Sequence, residues 1–269
     1  MVKKEIRKYN HTFAICAYKK SEFLEECIQS ILKQKVESEI FIITSTPNDL
    51  IYSLADKYNL KLYINKGESG ITQDWNFALS HVKTRYATVA HQDDVYLPSY
   101  TEKILKKMNT TSLPLVAFSD YYELRENSFV YNTTMLKIKR AMLLPLRLKM
   151  FQNSRFIRRR VLSIGDPICC PAVTFCLDNV ERPIFQHGFR SCEDWEAWEK
   201  ISRQKGSFSY IYEPLMCHRI HEDSATTAII KDNARVEENY VMFCKFWPKW
   251  IAKIINYFYT KSEKSNSLE

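Results

Sequence analysis

The stretch that decides the fold is Tyr86-Ala-Thr-Val-Ala-His-Gln-Asp-Asp94. Tyr86 to Ala90 runs without a charged residue or apolar/polar alternation, which fits a strand covered on both faces, as in the interior of a parallel sheet. Two adjacent carboxylates, Asp93 and Asp94, follow at its carboxyl end. Like charges this close disfavour each other's ionisation unless a cation joins them. A hard divalent cation bridging phosphate oxygens is one such partner. A strand-end turn whose acids cap the helix after Pro98 is the plainer alternative.

Toward the N-terminus, Thr12-Phe-Ala-Ile-Cys-Ala-Tyr18, Glu39-Ile-Phe-Ile-Ile-Thr44 and Leu60-Lys-Leu-Tyr-Ile64 read as three more buried strands. Helical spacing separates them. Ser21 predicts an N-cap for a helix whose apolar face is Phe23, Leu24, Cys27, Ile28, Ile31 and Leu32. Pro47 opens a second helix through about Tyr58, and Ile71 to Val82 reads as a third. A β-α-β-α-β-α-β order implies a parallel sheet covered by helices. Ligands bind such sheets beyond the carboxyl ends of the strands. The loops Tyr18–Lys20, Thr44–Asn48, Asn65–Gly70 and His91–Tyr96 are therefore where a ligand is expected. Beyond Pro98 the pattern predicts a helix, a strand at Leu115–Phe118, a strand at Ala172–Leu177, a helix at Glu193–Arg203 and a strand at Phe208–Tyr212. A long amphipathic pattern then runs from Asp232 to about Tyr259, broken at Pro248.

The 269 residues are 45% hydrophobic and 26% charged, which excludes a disordered tail, a collagen-like fibre and a coiled coil. The net charge of +8 is local. Between Ser128 and Gly165 stand nine basic residues and no acidic one: Lys137, Lys139, Arg140, Arg147, Lys149, Arg155, Arg158, Arg159 and Arg160. The rest of the chain sums to −1, so a local anionic partner is expected rather than steering by the whole molecule. No run of about 18 apolar residues is present, so no membrane-spanning helix is expected. The basic start lacks a long apolar stretch, so no secretory signal is expected. Eight cysteines without a C-x-x-C pair read as reduced core thiols in a reducing compartment rather than a zinc site. The sequons at Asn10, Asn109 and Asn132 are then incidental.

Two further stretches carry chemistry. In Ser191-Cys-Glu-Asp-Trp-Glu-Ala-Trp198, Glu193 and Asp194 fall in the first turn of a predicted helix, where acids complement the dipole. They also suit a general base acting on a hydroxyl. In Cys217-His-Arg-Ile-His-Glu-Asp-Ser224, two histidines and an arginine suit phosphate or metal. At strand spacing His218 and Ile220 share one face, and Arg219 and His221 the other.

Thr12–Tyr18 before a helix, Gln34 closing it, a Ser/Thr/Asn/Asp loop after the second strand, Asn65-x-Gly67, Asn76, His91-Gln-Asp-Asp94, Glu193-Asp194-Trp195 and Arg219-Ile-His221 occur in that order. The set resembles the family 2 glycosyltransferases, from about residue 11 to 225. The resemblance implies the GT-A fold, an α/β Rossmann-like mixed and mostly parallel sheet flanked by helices. It implies a catalytic domain over 1–225, with a donor half over about 11–120, a basic insert over about 128–165 and an acceptor and base half over about 166–225. A C-terminal helical extension occupies 226–269.

The activity implied is inverting transfer of a sugar from a nucleoside-diphosphate sugar, commonly a UDP-sugar, to a hydroxyl of a glycan or lipid-linked acceptor in surface polysaccharide synthesis. The family's D-x-D motif matches His91-Gln92-Asp93, with histidine in place of the first acid. Asp93 is then a ligand of Mn²⁺ or Mg²⁺, and His221 a second one. The implied donor site comprises Ala17, Tyr18, Ser45, Asp49, Asn76, His91, Gln92, Asp93, Arg219 and His221. Trp75 stands where the family has arginine. Asp194 matches the catalytic base, with Glu193 beside it.

On the acceptor side stand Trp195, whose alternative is a place in the core, and the cluster Arg158, Arg159 and Arg160. The basic insert suits an anionic bilayer or a lipid diphosphate, or a solvated charged face. The C-terminal stripe of Phe243, Phe246, Trp247, Trp250, Ile254, Tyr257 and Phe258, beside Lys245, Lys249 and Lys253, reads as packing on the catalytic domain, a peripheral membrane foot or a homodimer contact. The expected place is the cytoplasm, peripheral on the inner face of the membrane. A nucleotidyltransferase would want glycines after the first strand, where Ala17-Tyr-Lys-Lys-Ser21 has none. A nucleic-acid binder would want a motif that the basic insert lacks, and no nucleic-acid partner is expected.

Overall fold

The structure, a computed structural model, describes residues 9–126, 128–221 and 234–266. The donor half forms as alternation demands: β1 (His11–Ala17), α1 (Leu24–Leu32), β2 (Glu39–Thr44), α2 (Asp49–Lys57), β3 (Lys61–Ile64), α3 (Ile71–His81) and β4 (Tyr86–His91). Its strands lie parallel in the order β3-β2-β1-β4. There follow β5 (Val95–Tyr96), α4 (Tyr100–Asn109), β6 (Pro114–Arg125), β7 (Ser128–Val130), α5 (Thr134–Leu143), α6 (Arg155–Leu162), β8 (Val173–Cys176), α7 (Glu193–Ser202), β9 (Ser207–Ile220), α8 (Ala234–Cys244) and α9 (Lys249–Asn266). Antiparallel β8 joins β4 to β6, β6 runs parallel to β9, and β5 closes the far edge. β7 pairs with β6 off that path.

The sheet is buried on both faces, which is why its strands read as unbroken apolar runs. Side chains alternate across β1. Phe13 and Ile15 enter a layer with α1, α2 and α4; Ala14 enters the opposite layer with α3, α7, α8 and α9. The eight cysteines are free thiols, six of them buried.

Several boundaries differ from the sequence reading for local reasons. Ser21 does not cap α1: its Oγ accepts from the Phe23 amide at 3.3 Å in a preceding turn, and the helix starts at Leu24. Asn48, not Pro47, opens α2, its Oδ1 accepting from the Ile51 amide at 3.2 Å. β6 and β9 run to 12 and 14 residues, far beyond their apolar cores. Their polar positions are satisfied from afar, as where Arg140 Nε donates to Asp120 at 2.7 Å. The start of the amphipathic pattern at Asp232, the end of the 217–224 motif and the basic N-terminus lie outside the described residues.

The second half of the basic insert folds inward, while Lys137, Arg147, Lys149 and Arg155 stay exposed. Arg158 is 0% exposed: Nε donates to the Ser202 carbonyl at 2.8 Å, and its other nitrogens to the Gln204 and Gly206 carbonyls. These carbonyls lie at the C-terminus of α7 and in the turn beyond it, where helix acceptors are unsatisfied and cations are favoured. Arg159 pairs with the buried Glu199, and Arg160 lies over the Trp247 ring at 4.7 Å. Arg140 is stacked 3.5 Å from the Tyr131 ring. The cluster 158–160 is thus a joint between α6, α7 and the C-terminal helices, not an acceptor patch.

The C-terminal helices pack on α7. Phe243 meets Trp195 edge-on at 5.0 Å, and Trp247 Nε1 donates to the Ser163 carbonyl at 2.7 Å. Gly165 makes this approach feasible: at φ +150° its missing Cβ would sit 2.8 Å from the Tyr259 ring. The outer face of α9 keeps Trp250, Tyr257 and Phe258 exposed at 68%, 66% and 64%. Among the described residues no helix is long and apolar enough to cross a membrane.

His11 opens β1 wholly buried, with Nδ1 2.9 Å from Ser38 Oγ and Nε2 3.0 Å from Thr88 Oγ1. Burial lowers its pKa from 6.5 to about 3. Between those values the unfolded chain binds a proton that the folded chain refuses, so stability falls as pH drops. From pH 7 to pH 5 the wild type is expected to lose about 2 kcal/mol more than His11→Gln in urea unfolding. Parallel losses in the two proteins would contradict this.

Candidate active site

The site is built where β4 ends. The chain turns at His91, with the Asp94 amide donating to the His91 carbonyl at 3.3 Å, and drives the Asp94 carboxylate inside, 0% exposed. Asp94 Oδ1 accepts from His218 Nδ1 and from the Arg219 amide, both at 3.0 Å. Burial alone would lower the His218 pKa, but the charge and hydrogen bond of Asp94 outweigh it and the pKa is raised. Burial likewise works to raise Asp93, yet His91, a hydrogen bond to His221 and His218 hold it below the usual carboxylate range.

Around this anchor the expected donor residues take different roles. His221 Nε2 lies 3.0 Å from Asp93 Oδ2. The His91 ring stacks on Trp75 at 5.1 Å and 12°, so the tryptophan in the arginine position orients this histidine. Arg219 is 6% exposed and spent on the fold: Nε donates to the Asp93 carbonyl at 2.9 Å, Nη2 pairs with Glu26, and the guanidinium lies over Phe23. That corrects its reading as a diphosphate donor. Gln92 is also committed, its amide bridging the Tyr18 backbone at 2.9 and 3.0 Å and tying the ends of β1 and β4 together. Asn76 holds the Phe185 backbone at 2.8 and 3.2 Å, facing away from any donor role. Ala17 is buried at the end of β1, while the Tyr18 ring is exposed. Ser45 donates to Asp74 at 2.7 Å, and Asp49 sits exposed in the first turn of α2.

One nitrogen of His91 and one oxygen each of Asp93 and Asp94 lie within 4.8 Å of one another. His91 Nε2 and Asp94 Oδ2 are buried without a hydrogen-bond partner. Buried polar atoms left unpaired cost roughly 1–3 kcal/mol each. A cation in the cluster would satisfy Asp94 Oδ2, which His91 Nδ1 approaches at 3.8 Å, and imidazole with carboxylates suits Mn²⁺ and, through the oxygens, Mg²⁺. The cluster takes Asp94 where the sequence suggested His221, which instead stands behind Asp93.

The second acid centre is at the start of α7. Asp194 Oδ1 accepts from the Trp195 amide at 2.8 Å. Burial first, and then the Asp194 charge, push the Asp166 carboxyl well above the carboxylate range, against the opposing charge of Lys139 of α5. Lys139 Nζ donates to Tyr121 Oη at 3.1 Å. Glu193 is 6% exposed, and burial, reinforced by the Asp194 and Glu238 carboxylates, pushes it to about 7. Trp195 is 2% exposed with Nε1 donating to the Leu162 carbonyl at 3.0 Å, so it belongs to the core and not to a sugar platform.

The profile of "Glycosyl transferase family 2" matches residues 12–180, more than half of the chain. The chain belongs to glycosyl transferase family 2. An uncharacterized glycosyltransferase of Haemophilus influenzae is 23% identical over 235 residues, 79% of this chain and 66% of that one. One from Rickettsia felis is 25% identical over 86% of this chain and 37% of its own. The chain thus spans about two thirds of the first relative's length and little more than a third of the second's. Among solved structures, S. aureus TarS 1-349 in complex with UDP-GlcNAc has a TM-score of 0.63 at 14% identity, covering 92% of this chain and 70% of that one. The mannosyltransferase PcManGT from Pyrobaculum calidifontis, in complex with GDP-Man and Mn²⁺, has a TM-score of 0.62 at 13% identity, covering 95% and 70%. The fold is GT-A, as these structural neighbours show.

Sequence reasoning missed Asp74, Asp166, Lys139, Glu26 and the anchoring role of His218. Asp166 stood between Gly165 and Pro167, which reads as a turn. His218 was visible beside Arg219, but its partner lies 124 residues away.

Proposed function

We propose that this family 2 member is an inverting glycosyltransferase that moves a sugar from a nucleoside-diphosphate sugar, a UDP-sugar by preference, to a hydroxyl of a glycan or lipid-linked acceptor in surface polysaccharide synthesis. One observation carries the reading. His91, Asp93 and Asp94 bring three cation-ligating atoms within 4.8 Å of one another at the carboxyl end of β4, where a sheet of this kind takes a diphosphate donor. The UDP-GlcNAc of TarS and the GDP-Man of PcManGT support the donor class.

Asp194 takes the acceptor proton on a carboxylate oxygen as the hydroxyl oxygen bonds to the anomeric carbon. The bond from that carbon to the diphosphate breaks on the opposite face, and the electron pair leaves with the diphosphate. His91, Asp93 and Asp94 would hold a divalent cation. Bound there, Mn²⁺ or Mg²⁺ supplies Lewis-acid stabilisation of charge on the diphosphate. Ala17, Tyr18 and Ser45, at the carboxyl ends of β1 and β2, supply the nucleoside side of the site.

The same reading places the enzyme on an anionic membrane surface through α9. Its exposed Trp250, Tyr257 and Phe258 lie among exposed Lys249, Lys253 and Lys261, a pairing that suits anionic headgroups.

Asp194→Asn is expected to lower kcat roughly 10²–10⁴-fold while nucleotide-sugar binding with Mn²⁺, followed by thermal shift, stays unchanged. Full activity would refute the base. Trp250→Glu with Phe258→Glu is expected to abolish co-sedimentation with phosphatidylglycerol vesicles and to spare transfer to a soluble acceptor. Unchanged sedimentation overturns the membrane face; loss of a dimer instead assigns it to a second copy.

A further inference from the structure

The exposed half of the basic insert has no part in the roles above. Lys137, Arg140 and Leu144 follow one another at helical spacing along α5 and its C-cap, so they share one face. The chain beyond brings Arg147 to that face, and together with Tyr212 of β9 these residues line a cavity of about 320 Å³. Small-molecule pockets begin at about this size, roughly 300–1,000 Å³. The cavity is separate from both acid centres: on the same helix Lys139 turns elsewhere, donating to Tyr121 Oη at 3.1 Å.

The cations of the cavity are not equivalent. Arg140 is 8% exposed and committed to the fold, with Nε donating to Asp120 at 2.7 Å and Nη1 to the Tyr131 carbonyl at 2.5 Å. Arg147 is stacked on the exposed Tyr212 ring, its Cζ 3.0 Å from the centroid. A guanidinium stacked on a ring keeps its N–H donors in its own plane, and that planar fork matches a phosphate bidentately. Among the described residues no acid pairs with Arg147 or with Lys137. The nearest acids are taken, Asp120 by Arg140 and Glu213, beside Tyr212, by Lys103. Three cations against one carboxylate leave two positive charges at the cavity. A phosphate monoester carries the matching charge, roughly −1.5 to −2 at pH 7.

The rest of the lining is less charged. Leu144 and the tyrosine rings offer apolar surface, and the Asn132 amide offers both a donor and an acceptor. Such a wall suits the C–H face and the hydroxyls of a sugar ring. Tyr210, on the same face of β9 as Tyr212 and 6.1 Å from it between ring centroids, has a buried hydroxyl without a hydrogen-bond partner. A buried polar group of this kind is ordinarily completed by water or a ligand.

We propose that this cavity is a second ligand site, one that takes a phosphorylated sugar: Arg147 and Lys137 hold the phosphate, and the wall of Leu144, Tyr212 and Asn132 holds the ring. The claim concerns binding and is independent of the transfer reaction.

Phosphorus NMR titration of glucose 1-phosphate into the full chain tests it, in EDTA so that the donor site holds no cation. Saturable line broadening is expected. Lys137→Gln with Arg147→Gln should weaken binding roughly tenfold or more. Arg147→Lys, which keeps the charge and loses the fork, should weaken it several-fold. Lys149→Gln with Arg155→Gln, which removes two exposed cations outside the cavity, should change it less than about twofold. An unchanged thermal shift with UDP and Mn²⁺ shows the fold intact in each variant. Inorganic phosphate should bind several-fold more weakly than glucose 1-phosphate. Phosphatidylglycerol vesicles should sediment wild type and the Lys137/Arg147 variant alike. Absence of saturable binding, equal losses in the two double variants, or inorganic phosphate bound as tightly as the sugar phosphate overturns the proposal. Vesicle sedimentation that depends on Lys137 and Arg147 also contradicts it and assigns the cavity to lipid headgroups.

Discussion

A single buried carboxylate organises the site. Asp94 has no solvent exposure, yet it accepts from both His218 and the Arg219 amide and so hangs the end of β9 on the end of β4. A charge taken out of water must be paired and hydrogen-bonded. That demand brings together segments more than 120 residues apart in the chain. It sets His221 against Asp93, and the Arg219 guanidinium over Phe23 of the loop after β1. Asp93 is left facing the region beyond the strands, beside a His91 ring held flat on Trp75. Adjacent acids thus divide the work: Asp94 holds β9 against β4 and Asp93 pairs with His221.

The basic insert follows the same logic with opposite sign. Nine cations without an acid neighbour in sequence look like a surface for an anionic partner. In the fold, Arg140 finds Asp120, Arg159 finds Glu199, and Arg158 finds three backbone carbonyls beyond α7. Lys139 reaches the neighbourhood of Asp166 and Asp194. Part of the segment's positive charge is thus met by acids of other segments, while Lys137, Arg147, Lys149 and Arg155 stay exposed.

The donor half was legible because its physics is local. Strands buried on both faces must be apolar throughout, and helices between them must show one apolar stripe, so β1 to β4 were found to within a residue or two. β6 and β9 were found only at their apolar cores, since Asp120 and His218 look like loop residues until their distant partners are known. The site divides in the same way. Asp93 and Asp194 could be picked out because motif and element position coincide. Gln92, Asn76, Arg219 and Arg158 were chosen for their chemical type, but they are engaged by backbone groups and, for Arg219, by Glu26. Asp166 left no local signal, because the charges that act on it, Asp194 and Lys139, lie on other helices.

The central claim is that the end of β4 is a cation-assisted donor site made by His91, Asp93 and Asp94. Pulsed electron paramagnetic resonance on the protein with Mn²⁺ and UDP tests it most directly. The account predicts coupling of the manganese to one imidazole nitrogen, lost in His91→Asn, and loss of bound manganese in Asp93→Asn with the fold intact. Manganese bound without nitrogen coupling, or bound equally well in Asp93→Asn, would contradict it.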